Sequence, residues 1–148
     1  MTNKLFFTSL LIFALTTVSC NQKKQMHLGT WEGTDNSGNK VNMTLYEDNH
    51  LKLIFNDEIL MSKEEITSNG ERIIVKYEIN YDEDPIWFDF VSYKNGEADR
   101  ENMKRTALNF ISEEEMEMVP SEDGDNGIKR KAKIDKNDKN YTLFRKVK

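Results

Sequence analysis

The sequence is poor in cysteine, histidine and proline, with one Cys, two His and two Pro in 148 residues. A lone cysteine makes no internal disulfide and no cysteine zinc site. The two histidines, His27 and His50, leave little for a histidine-based metal centre. Also missing are a Gly-rich phosphate loop, a Rossmann fingerprint and a Gly-x-Ser-x-Gly nucleophile elbow. Only one stretch is apolar enough to enter a bilayer, which excludes a multi-span membrane protein. Charged residues make up 32% and the net charge is −5, which suits a soluble body. At roughly 100–200 residues per domain, the length fits a single one.

The apolar stretch is N-terminal. Lys4 precedes an apolar core from Leu5 to Leu15, followed by Thr16-Thr17-Val18-Ser19-Cys20. A basic start, a short apolar core and a small-residue end predict a secretory signal peptide over residues 1–19. The core falls short of the ~20 residues of a spanning helix, which favours cleavage over the rival reading, an uncleaved anchor helix. Cys20 at the end of this segment resembles the lipobox of bacterial lipoproteins, with Ser19 in the small position and Thr17 where that family carries an aliphatic residue. The resemblance implies lipidation of Cys20, a polar tether over 20–27 and attachment to the cell envelope through the acyl chains. Asn21, where an aspartate would retain some lipoproteins in the inner membrane, implies the outer membrane, on its periplasmic or its outer face.

The body, 28–148, alternates apolar and polar residues. Val41, Met43 and Leu45 share one face, as do Leu51, Leu53 and Phe55. Ile73, Val75, Tyr77 and Ile79 follow the same period, and Ile86, Phe88 and Phe90 alternate with Trp87, Asp89 and Val91. Met116 and Met118 alternate with Glu115 and Glu117, and Leu143 with Thr142 and Phe144. Period 2 marks half-buried strands. Helical spacing shows only weakly, at Ala98–Thr106. Turn clusters at Asp35–Asn39, Glu47–Asn49, Ser68–Gly70, Lys94–Gly96 and Glu122–Gly127 separate the runs. The pattern predicts an all-β, antiparallel, up-and-down sandwich or barrel of about eight to ten strands.

The opening Gly29-Thr30-Trp31 resembles the first strand of lipocalin-like barrels, and Asp84–Phe90 and Tyr141–Lys146 resemble a middle and a last strand of small bacterial members. In that family the tryptophan closes the barrel bottom under a basic residue, a role the resemblance gives to Trp31 and Arg145. It implies a barrel that holds a small apolar ligand, with Trp31, Phe55, Tyr77, Trp87, Phe88 and Phe90 as candidate lining residues. The same aromatics would equally fill a dry core. The protein would then be an interaction module of the assembly-factor, inhibitor or immunity type, presenting its acidic face and strand edges.

Charge is uneven. Lys129–Lys148 holds nine basic residues and two acidic, while Cys20–Ile128 holds eleven basic and twenty-four acidic. A hairpin about Glu122–Gly127 would set Glu115 and Glu117 against Lys129, Lys131 or Lys133. Export and an acidic body speak against nucleic acid as a partner. Asp135–Asn140 begins like a calcium loop, but positions 5 and 12 are Lys139 and Lys146. Asp123–Gly127 and Asp82–Asp84 are acidic turns without the remaining ligands, so no metal or cofactor is expected. No catalytic constellation stands out, and the chain does not read as an enzyme. Asp89 lies in an aromatic strand. Buried, it needs a partner such as Arg100 or Arg105; exposed, it is ordinary.

Overall fold

The computed structural model describes residues 25–121 and 130–148. The expected signal peptide, Cys20, most of the expected tether and the turn cluster Glu122–Gly127 lie outside the described residues. The described part contains no helix. It has ten strands: β1 (Gly29–Asp35), β2 (Lys40–Leu45), β3 (Leu51–Phe55), β4 (Glu58–Met61), β5 (Ile66–Ser68), β6 (Glu71–Asn80), β7 (Ile86–Lys94), β8 (Glu97–Phe110), β9 (Glu115–Pro120) and β10 (Thr142–Lys146).

They form one sheet in the order β4-β3-β2-β1-β10-β9-β8-β7-β6-β5, with every pair antiparallel. This is a meander that joins its first and last strands and stays open between β4 and β5. The sheet curls enough for His50 to bridge Lys76, and the Tyr77 N–H donates to the Asn49 carbonyl at 2.9 Å. The result is a half-barrel, closed where β3 meets β6 and parted where β4 and β5 face each other.

Turn chemistry sets the registers. Asn69-Gly70 and Asn95-Gly96 both take positive φ, as a two-residue hairpin turn of the I′ class requires. Asn56-Asp57 does the same between β3 and β4 without a glycine, at φ 49° and 68°. Asn and Asp tolerate this region because their short side chains bond locally. The inward face of the resulting sheet carries the alternating apolar set, centred on Trp31, Met43, Leu45, Leu51, Tyr77, Phe88, Leu108 and Met116.

Two expectations are corrected. Ala98–Thr106 is not helical; it lies within the 14-residue β8. Pairing to β7 on one side and β9 on the other outweighs a weak local preference. Nor does β9 form a hairpin with the basic run. It pairs with β8 and β10, and residues 130–141 contribute no strand. Phe144 and Thr142 of β10 supply an inward face beside Met116 and Met118, which a run of lysines would not. Glu115 therefore meets Arg145, with Nε donating to Oε1 at 3.0 Å. Glu117 accepts from Asn109 and Tyr141 and lies 3.4 Å from Lys136. Lys131 turns to Asp138 at 3.0 Å.

The basic segment instead crosses the outer face of the sheet. Val91, Ala107 and Val119 alternate with inward Phe90, Leu108 and Met118, yet all three are buried. Asp89 is buried on this same face. Its partner is Arg130, whose guanidinium forks onto both carboxylate oxygens and lies 4.1 Å over the Trp87 ring. Arg100, one of the two partners expected, pairs with Glu78 instead at 2.9 and 3.0 Å; Arg105 stands opposite Asp89 in the β7–β8 register. Removing one member of a buried pair strands the other. Arg130→Met is expected to lower stability by about 2–3 kcal/mol, read by urea denaturation, and the double variant Arg130→Met/Asp89→Leu to recover most of it.

Candidate functional site

The two ends of the inner face differ. At the β1 start, aromatic side chains fill the inside, and a half-polar cleft of about 580 Å³ runs past His27, Leu28 and Tyr77. Trp31, Tyr77 and Phe88 are essentially without exposure, and Tyr77 stacks on Phe88 at 5.4 Å. The Trp31 indole N–H donates to the His27 carbonyl at 2.7 Å. The cation over Trp31 is Lys146, 5.0 Å from the ring centroid, and not Arg145. Register explains the correction. Lys146 stands directly opposite Trp31, whereas Arg145 stands opposite Glu32 and so faces outward.

His27, at the seam between tether and body, is buried between two tyrosines. Nδ1 bonds the Tyr81 hydroxyl, and Nε2 lies 3.0 Å from the Tyr77 hydroxyl. Tyr77 donates its proton to the Tyr46 carbonyl at 2.6 Å, so Nε2 is the donor to Tyr77 and Nδ1 accepts from Tyr81. An imidazolium would carry a second N–H and break that sequence of bonds. Burial, with the Lys146 charge in addition, pulls the His27 pKa from 6.5 down to about 4. Burial likewise pushes Tyr77 up to about 12 and raises Tyr81.

This linkage has a sign. Above pH 6.5 His27 is neutral folded or unfolded and contributes no pH dependence. Between 6.5 and about 4 the unfolded chain takes up a proton that the folded one refuses, so stability falls as pH falls. After allowance for solvent screening the loss is about 2 kcal/mol. Denaturation from pH 7.5 to 4 is expected to show this slope in the wild type, and His27→Gln to lack the His27 share of it.

At the β1 end by Asp35 the inner face is not filled. A cavity of about 220 Å³ opens there, with Val41, Met43, Leu53, Phe55, Phe90 and Met118 among its walls. Pro120 and Phe144 complete the apolar lining, and Asp35, Asn39, Thr106, Asn140 and Thr142 are its polar members. Asp35 is occupied by its own turn: Oδ1 accepts from the Ser37 and Asn39 N–H groups at 2.9 and 2.8 Å, and Oδ2 from Asn39 Nδ2 at 2.9 Å. A groove of about 670 Å³ along Glu32, Lys40, Asn42 and Arg145 is larger, but it is open and its lining is half polar and charged.

Compared with protein-family models, with curated proteins and with solved structures, the chain matches none.

The six candidate lining residues therefore separate into three groups. Phe55 and Phe90 line the cavity. Trp31, Tyr77 and Phe88 plug the opposite end. Trp87 faces outward beneath Arg130. Met43, Leu53 and Met118 were on the inward faces of the sequence pattern but not among the six. Period 2 tells which face a residue is on and nothing about its depth along the barrel. Thr106 and Asp35 had no sequence signal. Among the described residues no three His, Cys, Asp or Glu side chains converge as a metal site would require.

Proposed function

We propose that this is a lipid-anchored envelope protein with a lipocalin-like body that carries or senses a small apolar ligand. One observation carries the reading: an apolar cavity of about 220 Å³ inside one end of a half-barrel whose other end is filled on the inside by Trp31, Tyr77 and Phe88. Pockets that bind small molecules are concave and mostly apolar with a few polar groups, as this one is. The polarity of β1 adds an orientation. The strand runs from Gly29, nine residues after Cys20 in the sequence, to Asp35 on the cavity. The anchor holds the plugged end to the membrane and the cavity faces away from it, on the periplasmic or the outer side of the outer membrane.

The test uses the cavity's own methionines. In protein labelled at the methionine methyl groups, titration with toluene is expected to shift Met43 and Met118 saturably and to leave Met103, buried outside the inner core, unmoved. Unchanged Met43 and Met118 up to the solubility limit would overturn the carrier reading. For the anchor, incorporation of a tagged fatty acid is expected in the wild type and not in Cys20→Ser.

A second reading has its own observation. Ile59 and Leu60 of β4 and Ile66 of β5 are 62%, 56% and 58% exposed, on the two strands with an unpaired edge. An apolar sheet edge is a place where a partner strand adds. Ile59→Lys and Ile66→Lys would abolish such an interaction and leave toluene binding intact.

A further inference from the structure

The cavity wall also selects among ligands, an inference that rests on the carrier reading above. We infer that the ligand is an uncharged amphiphile of on the order of ten non-hydrogen atoms, an alcohol, aldehyde or ester and not a carboxylate or an amine. Size comes first. An engineered apolar cavity of roughly 150 Å³ holds benzene, and the space here is about 220 Å³. That is below the roughly 300–1,000 Å³ of pockets for drug-sized molecules.

Charge comes next. Among the described residues no Lys, Arg or His lines the cavity, so a carboxylate entering it would lose water and gain no counter-ion from them. Among the described residues the one ionisable member of the lining is Asp35, a like charge for an anion. Its two oxygens already accept three hydrogen bonds from Ser37 and Asn39, which tie it to the β1–β2 turn and leave it poorly placed to pair with an ammonium group.

One polar group remains without a role. Thr106 lies in the cavity wall, is 2% exposed, and its Oγ1 has no hydrogen-bond partner among the described residues. Buried hydroxyls are normally paired, and an exception asks for an explanation. Rotation about χ1 exchanges the hydroxyl and the methyl group between staggered positions. A threonine hydroxyl both donates and accepts, so it suits a neutral hydroxyl or carbonyl. The surrounding Met43, Phe90 and Met118 then take the hydrocarbon part.

The experiment is a titration of methionine-labelled protein with 1-octanol, octanoate and octylammonium at pH 7.5, with toluene as the uncharged reference. Saturable shifts at Met43 and Met118 are expected for 1-octanol, at least tenfold tighter than for either ion. Thr106→Val is expected to weaken 1-octanol three- to tenfold relative to toluene, and its circular dichroism spectrum shows whether the variant folds. If Thr106→Val does not fold, the comparison of alcohol with ions in the wild type decides alone. Octanoate or octylammonium binding as tightly as 1-octanol would overturn the ligand class, as would a folded Thr106→Val that binds 1-octanol normally. Failure of toluene and of all three octyl probes would overturn the carrier reading itself, and the ligand class with it.

Discussion

Trp31→Ala is expected to lower the unfolding free energy by about 4 kcal/mol and Tm by on the order of 15 °C. Trp31 is the largest fully buried side chain, and its removal leaves a hole at the plugged end. Large-to-small core changes of this kind cost about 3–5 kcal/mol, because transfer energy and cavity formation add. Three further contacts go with it: the indole bond to the His27 carbonyl, the Phe110 ring at 6.3 Å and the Lys146 cation over the ring. Trp31→Phe separates these contributions. It keeps most of the bulk and loses the hydrogen bond, so a smaller loss of about 1–2 kcal/mol is expected. Urea denaturation followed by circular dichroism checks both, since Trp87 keeps a fluorescence signal but does not report on this end.

Gly33→Val is expected to cost about 3 kcal/mol or more and to act at the seam that closes the meander. Gly33 stands opposite Phe144 in the β1–β10 register. A Cβ placed there would sit 2.6 Å from the Leu143 carbonyl oxygen and 2.7 Å from Thr142 Cγ2. The first of these is backbone and has no rotamer to escape into, so the two strands would have to part. Their separation would open the sheet between its first and last strands, and the cavity with it, since Val41, Thr142 and Phe144 lie on both sides of that seam. Hydrogen exchange is expected to show lost protection in β1 and β10 together. Protection lost in β1 alone would contradict the seam account. Gly38, by contrast, has open space around its missing Cβ. There only the positive φ matters, and Gly38→Asn is expected to be nearly neutral.

Much of the half-barrel was legible in the sequence because period 2 and turn chemistry are local signals. The faces carrying Met43 and Leu45, Leu51 and Leu53, and Phe88 and Phe90 all point inward as their alternation requires. The Asn-Gly turns sit where the runs break. What failed was long-range. The outer face of β7 looks ordinary in sequence, with Trp87, Asp89 and Val91 in alternation. It is covered by a segment some forty residues later, through Arg130 on Asp89. No spacing rule couples those positions. The same holds for Glu115, whose partner is Arg145 across a strand pair that only the completed topology brings together.

The site was legible in kind and not in place. Six aromatic residues were candidates because large rings line or fill barrels, and the pattern could not say at which end each would lie. Depth follows from strand direction and register, so Trp31 and Phe88 became the plug while Phe55 and Phe90 reached the cavity. The basic residue over Trp31 shows how narrow the margin is. Arg145 and Lys146 are adjacent, and one step in register sends one outward to Glu115 and the other over the ring. Thr106 is one of many threonines, and its missing partner exists only in three dimensions.

The central claim is that the open end of the barrel holds a small apolar ligand. Native mass spectrometry of the protein, purified in mild detergent from its own host, tests it most directly. The account predicts a discrete added mass that is lost when the same sample is extracted with organic solvent, and that is absent from a variant whose cavity is filled by Val41→Phe. A polypeptide mass with no extractable ligand, in a preparation that binds toluene at neither Met43 nor Met118, would contradict it.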